Sequence, residues 1–367
     1  MLSGVMEVPL VGRTAALRAI GLALDGLGDR RGTALRFAGE PGIGKSRLLA
    51  ELASLANERG FLVLDGRAAE FEDDLPFGIF VDALEDYLEA LDRRGLERLE
   101  PAVIDHLRAV FPAVAVERNA AAPIPEERFR SYRAVRSLLG LLGRGAPLVL
   151  VLDDVHWVDT ASGELLAYLL SHPPPGPVLL ALGYRPAQLS ERVRAALERG
   201  ETDDRVQPIP LDPLTPAESR LLVGAGVPGP ALEDVYAESG GNPFYLLELA
   251  GAAERGEHLG ALGARTGDVP QTVLAAIDRE IAALPEAARR LAWGAAAAGD
   301  PFEAPLAALA AEIPPAKALS TLDALLASGL ARGTAVPQRV AFRHPLVRRA
   351  VYGSAPAGWR TAAHRRL

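Results

Sequence analysis

The chain has 367 residues, 49% of them hydrophobic and 23% charged, with a formal charge of −8 and no cysteine. That length calls for two or three compact units, and the composition supplies enough core material to exclude a disordered chain. The acidic balance argues against a general nucleic-acid binder, and the lack of cysteine excludes a disulfide framework, a thiolate metal site and thiol catalysis.

The N-terminal "MLSGVMEVPLVGR" has no basic region leading into a long apolar run, and apolar runs elsewhere have only strand length. A soluble cytoplasmic protein with no signal peptide or membrane span is therefore expected. "ALRFAG" (34–39) predicts a first strand, followed by the loop "GEPGIGKS" and a helix from Lys45 to about Arg59 with Leu48, Leu49, Leu52 and Leu55 on its apolar side. "FLVLDGR" (61–67) reads as a second strand, and the polar, helical stretch 68–145 is too long for a simple crossover. "APLVLVLDD" (146–154) is a third strand, continuously apolar as buried parallel strands are; a helix follows from about Thr160, and "PVLLALGYR" (177–185) is a fourth. "RVQPIPL" (205–211) is a proline-weakened fifth. Strands alternating with helices predict an α/β doubly wound parallel sheet.

After Asp212 the strand signal stops. "TPAESRLLVGAG", "GPALEDVYAESGG" and "NPFYLLELAGAAE" predict three short helices bounded by Pro or Gly, and a glycine-rich segment (251–268) separates them from the rest. Two helices, a third in "AKALSTLDALLASGLA" and a β-wing in "VPQRVAFRH" predict a winged-helix-like unit; the closing "WRTAAHRRL" starts a further helix, so the chain reads as the front of something longer. From Ala324 to Leu367 there are eight arginines and no acid, which suits either contact with DNA or an acidic partner, or packing against acidic groups of the same protein.

Only two of the 39 basic residues are lysine, Lys45 and Lys317. Lys45 stands where a compact ammonium on a flexible stem is needed and a planar guanidinium does not substitute. Gly39, Gly42, Gly44, Lys45 and Ser46 satisfy the spacing of a phosphate-binding loop between strand and helix. Backbone N–H groups there and the helix N-terminus would hold the β-phosphate, Lys45 would reach the β- and γ-phosphates, and Ser46 would ligate Mg²⁺; a glycine-rich turn with a stray lysine is the bland alternative. Pro41 and Ile43 of the same loop, and Arg47 after it, complete the expected nucleotide-contacting set. Asp153 and Asp154 fall at the carboxyl end of the third strand, where ligands bind in open α/β sheets. Asp153 is expected to hold Mg²⁺ with Ser46, and Asp154 to orient or deprotonate the attacking water, one methylene shorter than a glutamate and therefore slow. Arg185, after the fourth strand, is either a γ-phosphate contact or a solvated strand-end arginine. His156 and Trp157 read as braces of the loop after the acidic pair; Asp159 and Thr160 read as a helix start.

Taken together, "LVGR" (10–13), "GEPGIGKS", "LVLVLDDVHWVD", "GYRP", "GGNPFYLLEL" (240–249) and "FRHPLVRRAVY" (342–352) resemble the STAND branch of AAA-like P-loop ATPases, and more narrowly the N-terminal part of large ATP-binding LuxR-type transcriptional regulators. The resemblance implies a P-loop domain over 1–211, a helical lid over 212–255, a winged-helix-like domain over 269–355 and the start of a further helical region at 356–367. It implies that Val11 and Arg13 line an adenine site, that Pro243 packs on the base, that Arg185 senses the γ-phosphate and that His344 touches the β-phosphate of ADP. The implied activity is a slow, regulatory ATPase using ATP/ADP and Mg²⁺, with a small-molecule or protein inducer, self-association on activation and no direct DNA binding from this segment. A ring-forming DNA or protein remodeller, a small-molecule kinase with an acceptor pocket in the 68–145 insert, and the ATPase module of an adenylyl-cyclase-like protein are the rival readings.

Overall fold

A computed structural model describes residues 10–69, 76–90, 99–114, 125–224, 226–254, 270–334, 336 and 338–367. The chain divides into two compact units, one of residues 13–211 and one of 212–367 joined by residues 10–12.

The first unit runs α1 (Thr14–Gly28), β1 (Thr33–Ala38), α2 (Lys45–Glu58), β2 (Leu62–Arg67), α3 (Gly78–Ala90), α4 (Pro101–Leu107), α5 (Pro125–Gly145), β3 (Leu148–Asp153), α6 (Thr160–Ser171), β4 (Val178–Tyr184), α7 (Glu191–Thr202) and β5 (Val206–Pro208). Its five strands form a parallel sheet in the order β2-β3-β4-β1-β5. Every residue of β3 and β4 is buried, which is why those segments read as unbroken apolar runs rather than alternating ones. The proline-bearing strand is short and lies at the sheet edge, where a missing N–H is tolerated. Leu48, Leu49 and Leu52 of α2 are fully buried, while the core on the insert side gathers Phe80, Leu84, Leu107, Phe111, Leu138 and Leu139.

The 68–145 stretch thus supplies α3, α4 and α5 against the sheet rather than one crossover helix. Asp159 ties this layer to the acidic loop. It caps α6 by accepting from the Ser162 N–H, and it also accepts from the N–H groups of Phe77 and Gly78 at 3.2 Å each.

The second unit holds α8 (Pro216–Val223), α9 (Gly229–Ser239), α10 (Pro243–Glu254), α11 (Gln271–Ala282), α12 (Glu286–Ala298), β6 (Phe302–Glu303), α13 (Ala304–Ala310), α14 (Pro315–Ala327), β7 (Ala331–Gly333), β8 (Arg339–Phe342), α15 (Pro345–Ser354) and α16 (Ala357–Arg366). Thr215 and Glu218 form a reciprocal capping box at the start of α8. The stretch read as a wing holds β8, which pairs antiparallel with β7 and with β6 in a three-stranded sheet of order β6-β8-β7; periodicity revealed neither β6 nor α13. Both missed elements are short, and α13 is alanine-rich with little amphipathic contrast. Most of the predicted glycine-rich separator lies outside the described residues. Among the described residues no helix is long and apolar enough to cross a membrane.

Candidate functional site

The loop between β1 and α2 is shaped by its glycines. Gly42 and Gly44 have φ of 78° and 106°, the left-handed region that side chains disfavour, and a Cβ on Gly39 would stand 2.8 Å from Ile43 Cγ2. Such a backbone gathers N–H groups into an anion-binding nest, and α2 adds its N-terminus directly after it. Lys45 is buried, and its Nζ donates to the carbonyls of Gly39 and Glu40 at 3.0 Å each, arching back over the loop. The Arg13 guanidinium, expected at the base of a nucleotide, donates to the Ile43 carbonyl at 2.8 Å and so braces the same loop from α1. Arg47 turns away along α2 to pair with Glu51.

The parallel register carries Asp153 and Asp154 to the same end of the sheet. Ser46 Oγ donates to Asp153 Oδ2 at 2.5 Å, joining the two residues expected to share Mg²⁺. A Cβ at Gly183 of β4 would lie 2.4 Å from Asp153 Oδ1 and 2.8 Å from Leu49, so only glycine leaves room for this carboxylate. Sequence reading missed Gly183, because its requirement depends on β4 lying beside β3. The residues fit a magnesium-bound nucleotide: a nest, a buried ammonium beside it, and a hydroxyl–carboxylate pair at its edge.

Asp154 has φ 54° and is buried. Its Oδ2 accepts from Arg67 Nε at 2.8 Å and lies 2.7 Å from Arg67 Nη2. Burial, and after it Asp153, push the Asp154 carboxyl above its ordinary range, while the Arg67 hydrogen bond works against them. Arg67 also escaped sequence reading. It ends β2 directly opposite Asp153, a pairing set by strand order.

Arg185 leaves β4 beside the acidic loop, half-buried. Its N–H donates to His156 Nδ1 at 3.4 Å and its guanidinium lies over the Trp157 ring at 5.1 Å. Burial, and after it Arg185 and Lys45, push His156 down to about 3, so it is neutral and an acceptor here. The bracing expected of His156 and Trp157 is thus a clasp on Arg185.

Val11, Pro243 and His344 belong to the second unit, where Val11 packs against its core. Gly12 has φ 70°, and a Cβ there would meet Leu214 and Glu218 at 2.7 Å. Pro243 opens α10 after a turn with Gly240 and Gly241 at positive φ. His344 lies against that turn: it caps α15 by accepting from the Leu346 N–H at 3.2 Å and packs on Tyr245 with ring centroids 4.5 Å apart. Two of the motifs quoted above therefore meet within one unit. Burial pushes His344 down to about 4, opposed by a hydrogen bond to the Ser239 backbone and reinforced by Arg343. Of the eight C-terminal arginines, Arg339, Arg343, Arg349 and Arg366 pair with Glu303, Glu280, Glu238 and Glu312 of the same unit.

Residues 9–181 match the model of the AAA ATPase domain. The chain is 28% identical over 399 residues to an uncharacterised protein of Rhizobium meliloti (strain 1021), spanning 99% of this chain but only 37% of that relative. Among solved structures, a Walker-type ATPase of Pyrococcus abyssi superposes with a TM-score of 0.57 at 16% identity, over 93% of this chain and 96% of that one. A signal transduction ATPase with numerous domains and a tetratricopeptide repeat sensor, from Pyrococcus horikoshii, is similar with a TM-score of 0.37 at 17% identity, over 96% of this chain and 43% of that one. The nest, the lysine and the acidic strand end all fall within the stretch that matches the AAA ATPase domain.

Proposed function

We propose that the chain is the nucleotide-operated switch of a cytoplasmic signal-transduction ATPase, the regulatory module of a LuxR-type transcriptional regulator. It holds ATP or ADP with Mg²⁺, hydrolyses ATP slowly, and couples nucleotide state to opening and self-association in response to a small-molecule or protein inducer. The proposed parts are a P-loop domain over 1–211, a helical lid over 212–255 in which Pro243 packs on the base, and a winged-helix-like domain over 269–355. Val11 and Arg13 flank the nucleotide, His344 reads its β-phosphate, and DNA binding lies elsewhere.

In this reading Lys45 swings from two carbonyls to phosphate oxygens, trading neutral partners for charged ones. Ser46 and Asp153 hold the cation, which when bound would draw charge from the phosphates. Arg185, steadied by His156 and Trp157, meets the γ-phosphate and so distinguishes ATP from ADP. Asp154 Oδ2 is the atom suited to take the water's proton, and its raised affinity for protons suits a general base.

The observation that carries slow, switch-like turnover is the ion pair of Arg67 on that same oxygen. The carboxylate is engaged until the exposed Arg67 side chain swings away, which restrains hydrolysis a fewfold. Nucleotide shifts such an equilibrium only by binding one state better than the other. The deciding experiment is to denature the purified protein and identify what it releases. Tightly held ADP, one per chain, supports the switch. An empty site with rapid turnover, stimulated by DNA in a stable ring, would favour a remodelling ATPase instead.

A further inference from the structure

The helical insert of the first unit forms an open cavity of about 480 Å³. It lies between α4 and α5, with Leu99, Val103, Ala134 and Pro175 among its apolar walls and Arg130, Arg133, Arg144, His106, Ser137 and Glu100 as its polar ones. None of these residues belongs to the phosphate loop or the acidic pair. Arg144 and Pro175 precede β3 and β4, at the amino ends of the strands, whereas Asp153, Asp154 and Arg185 are at their carboxyl ends.

Two features show a formed site rather than a chance dent. Residues 130, 133, 134, 137 and 144 recur at helical spacing on one side of α5, so the helix presents its basic groups to the cavity as a row. The Pro175 wall is fastened to the adjacent side of the same helix. Arg136 Nε donates to the carbonyls of His172 and Pro173 at 3.0 and 2.9 Å, and a Cβ on Gly140 would stand 2.7 Å from Pro175. Among the described residues Arg130, Arg133 and Arg144 have no acidic partner, although fifteen other arginines do. Among the described lining residues are three arginines, a histidine and one carboxylate, Glu100.

The geometry points to a binding site for an elongated organic dianion, with an apolar body and an anionic group, carboxylate or phosphate, at each end. Arg130 and Arg133, one helical turn apart, take one anionic group in the forked geometry that guanidinium offers to carboxylate and phosphate. Arg144 takes the other, roughly 16 Å along the axis from Arg133 before the long side chains lean inward. The apolar walls cover the body between them, and the volume is that of an ordinary small-molecule site. A ligand here contacts α5 directly ahead of β3, the strand that ends in Asp153 and Asp154. This gives the insert a sensing role that stands whether or not the nucleotide site works as a switch.

The test is calorimetric titration of the full chain with sebacate, a flexible dicarboxylate, against decanoate, the monoanion of equal length. Saturable sebacate binding is expected, with decanoate at least about tenfold weaker. Arg133→Ala and Arg144→Ala are each expected to weaken sebacate about tenfold, the loss of one charge-assisted contact, and Lys45→Ala to leave it unchanged. All three arginines are exposed, so an unchanged unfolding midpoint checks that the variants fold. The matching α,ω-bisphosphate tells carboxylate from phosphate preference, and either ranking keeps the dianion site. Absence of saturable binding, or equal affinity in wild type and both arginine variants, overturns the proposal. So does an arginine-dependent affinity for single-stranded oligonucleotide without one for sebacate, which would make the row a nucleic-acid contact.

Discussion

The glycine-loop end of the first unit and the arginine-rich end of the second both bury cations, yet they satisfy them differently. Lys45 rests on the carbonyls of Gly39 and Glu40, neutral groups that can be exchanged for phosphate oxygens. Arg343 is 4% exposed and held by the carboxylate of Glu280 at 2.6 Å, and Arg349 is held by Glu238. Exchanging those partners for a ligand would separate a buried or half-buried guanidinium from its half-buried acid, so the second arrangement is architecture. In the proposed reading one charge type serves binding in one unit and cohesion in the other. Asp154 lies between the two cases: a site carboxylate that already has an internal cation, Arg67.

The comparison breaks first at Lys45. Lys45→Ala is expected to abolish nucleotide binding, a loss of about 4 kcal/mol or more from two charge-assisted contacts, while leaving the unfolding midpoint nearly unchanged. Unchanged ATP affinity by calorimetry would remove the phosphate-loop assignment. Arg343→Ala should do the reverse, costing about 3 kcal/mol in urea unfolding by removing a buried guanidinium and its ion pair with Glu280, with nucleotide affinity per folded molecule retained. A stable Arg343 variant would contradict the architectural reading of the C-terminal arginines. Asp154→Asn is expected to lower turnover about a hundredfold with binding intact, the usual scale for losing a general base; wild-type turnover would take Asp154 out of the reaction.

The two buried histidines sharpen the same contrast by pH. His344 and His156 are held below their ordinary 6.5, at about 4 and about 3. Between those values and 6.5 the unfolded chain binds more protons than the folded one, so stability present above pH 6.5 is lost as pH falls. His344→Gln should flatten that decline by about 2 kcal/mol between pH 6.5 and pH 4 in the second unit's unfolding transition, and parallel curves for variant and wild type would count against its buried, neutral state. The smallest effect is expected at Arg67. Its side chain is 69% exposed, and Arg67→Ala should raise single-turnover hydrolysis only a fewfold, about 1 kcal/mol or less. A slower variant would mean that Arg67 assists the reaction rather than restraining Asp154.

The elements read from periodicity were those whose signal is local. The β3 and β4 segments are buried throughout and therefore uniformly apolar, and α2 repeats its leucines at helical spacing. β6 and α13 were missed because two strand residues and an alanine-rich turn of helix carry no period. The candidate site divides the same way. The loop glycines, Lys45, Ser46 and the acidic pair were legible because a phosphate nest needs particular residue types at fixed short spacing.

The sequence by itself determined the phosphate loop, the acidic strand end and the alternation that builds a parallel sheet. Only the tertiary structure decided that Arg67 would hold Asp154 from 87 residues away, that Gly183 would make room for Asp153, and that Arg13 would brace the loop at Ile43. It also decided that Arg339, Arg343, Arg349 and Arg366 of the arginine-rich tail would pair with internal acids. The physical reason is common to all of them. Glycine in a left-handed turn and leucine at helical spacing answer to backbone geometry over a few residues, whereas a charge or a missing Cβ answers to whichever strand or helix the fold lays beside it.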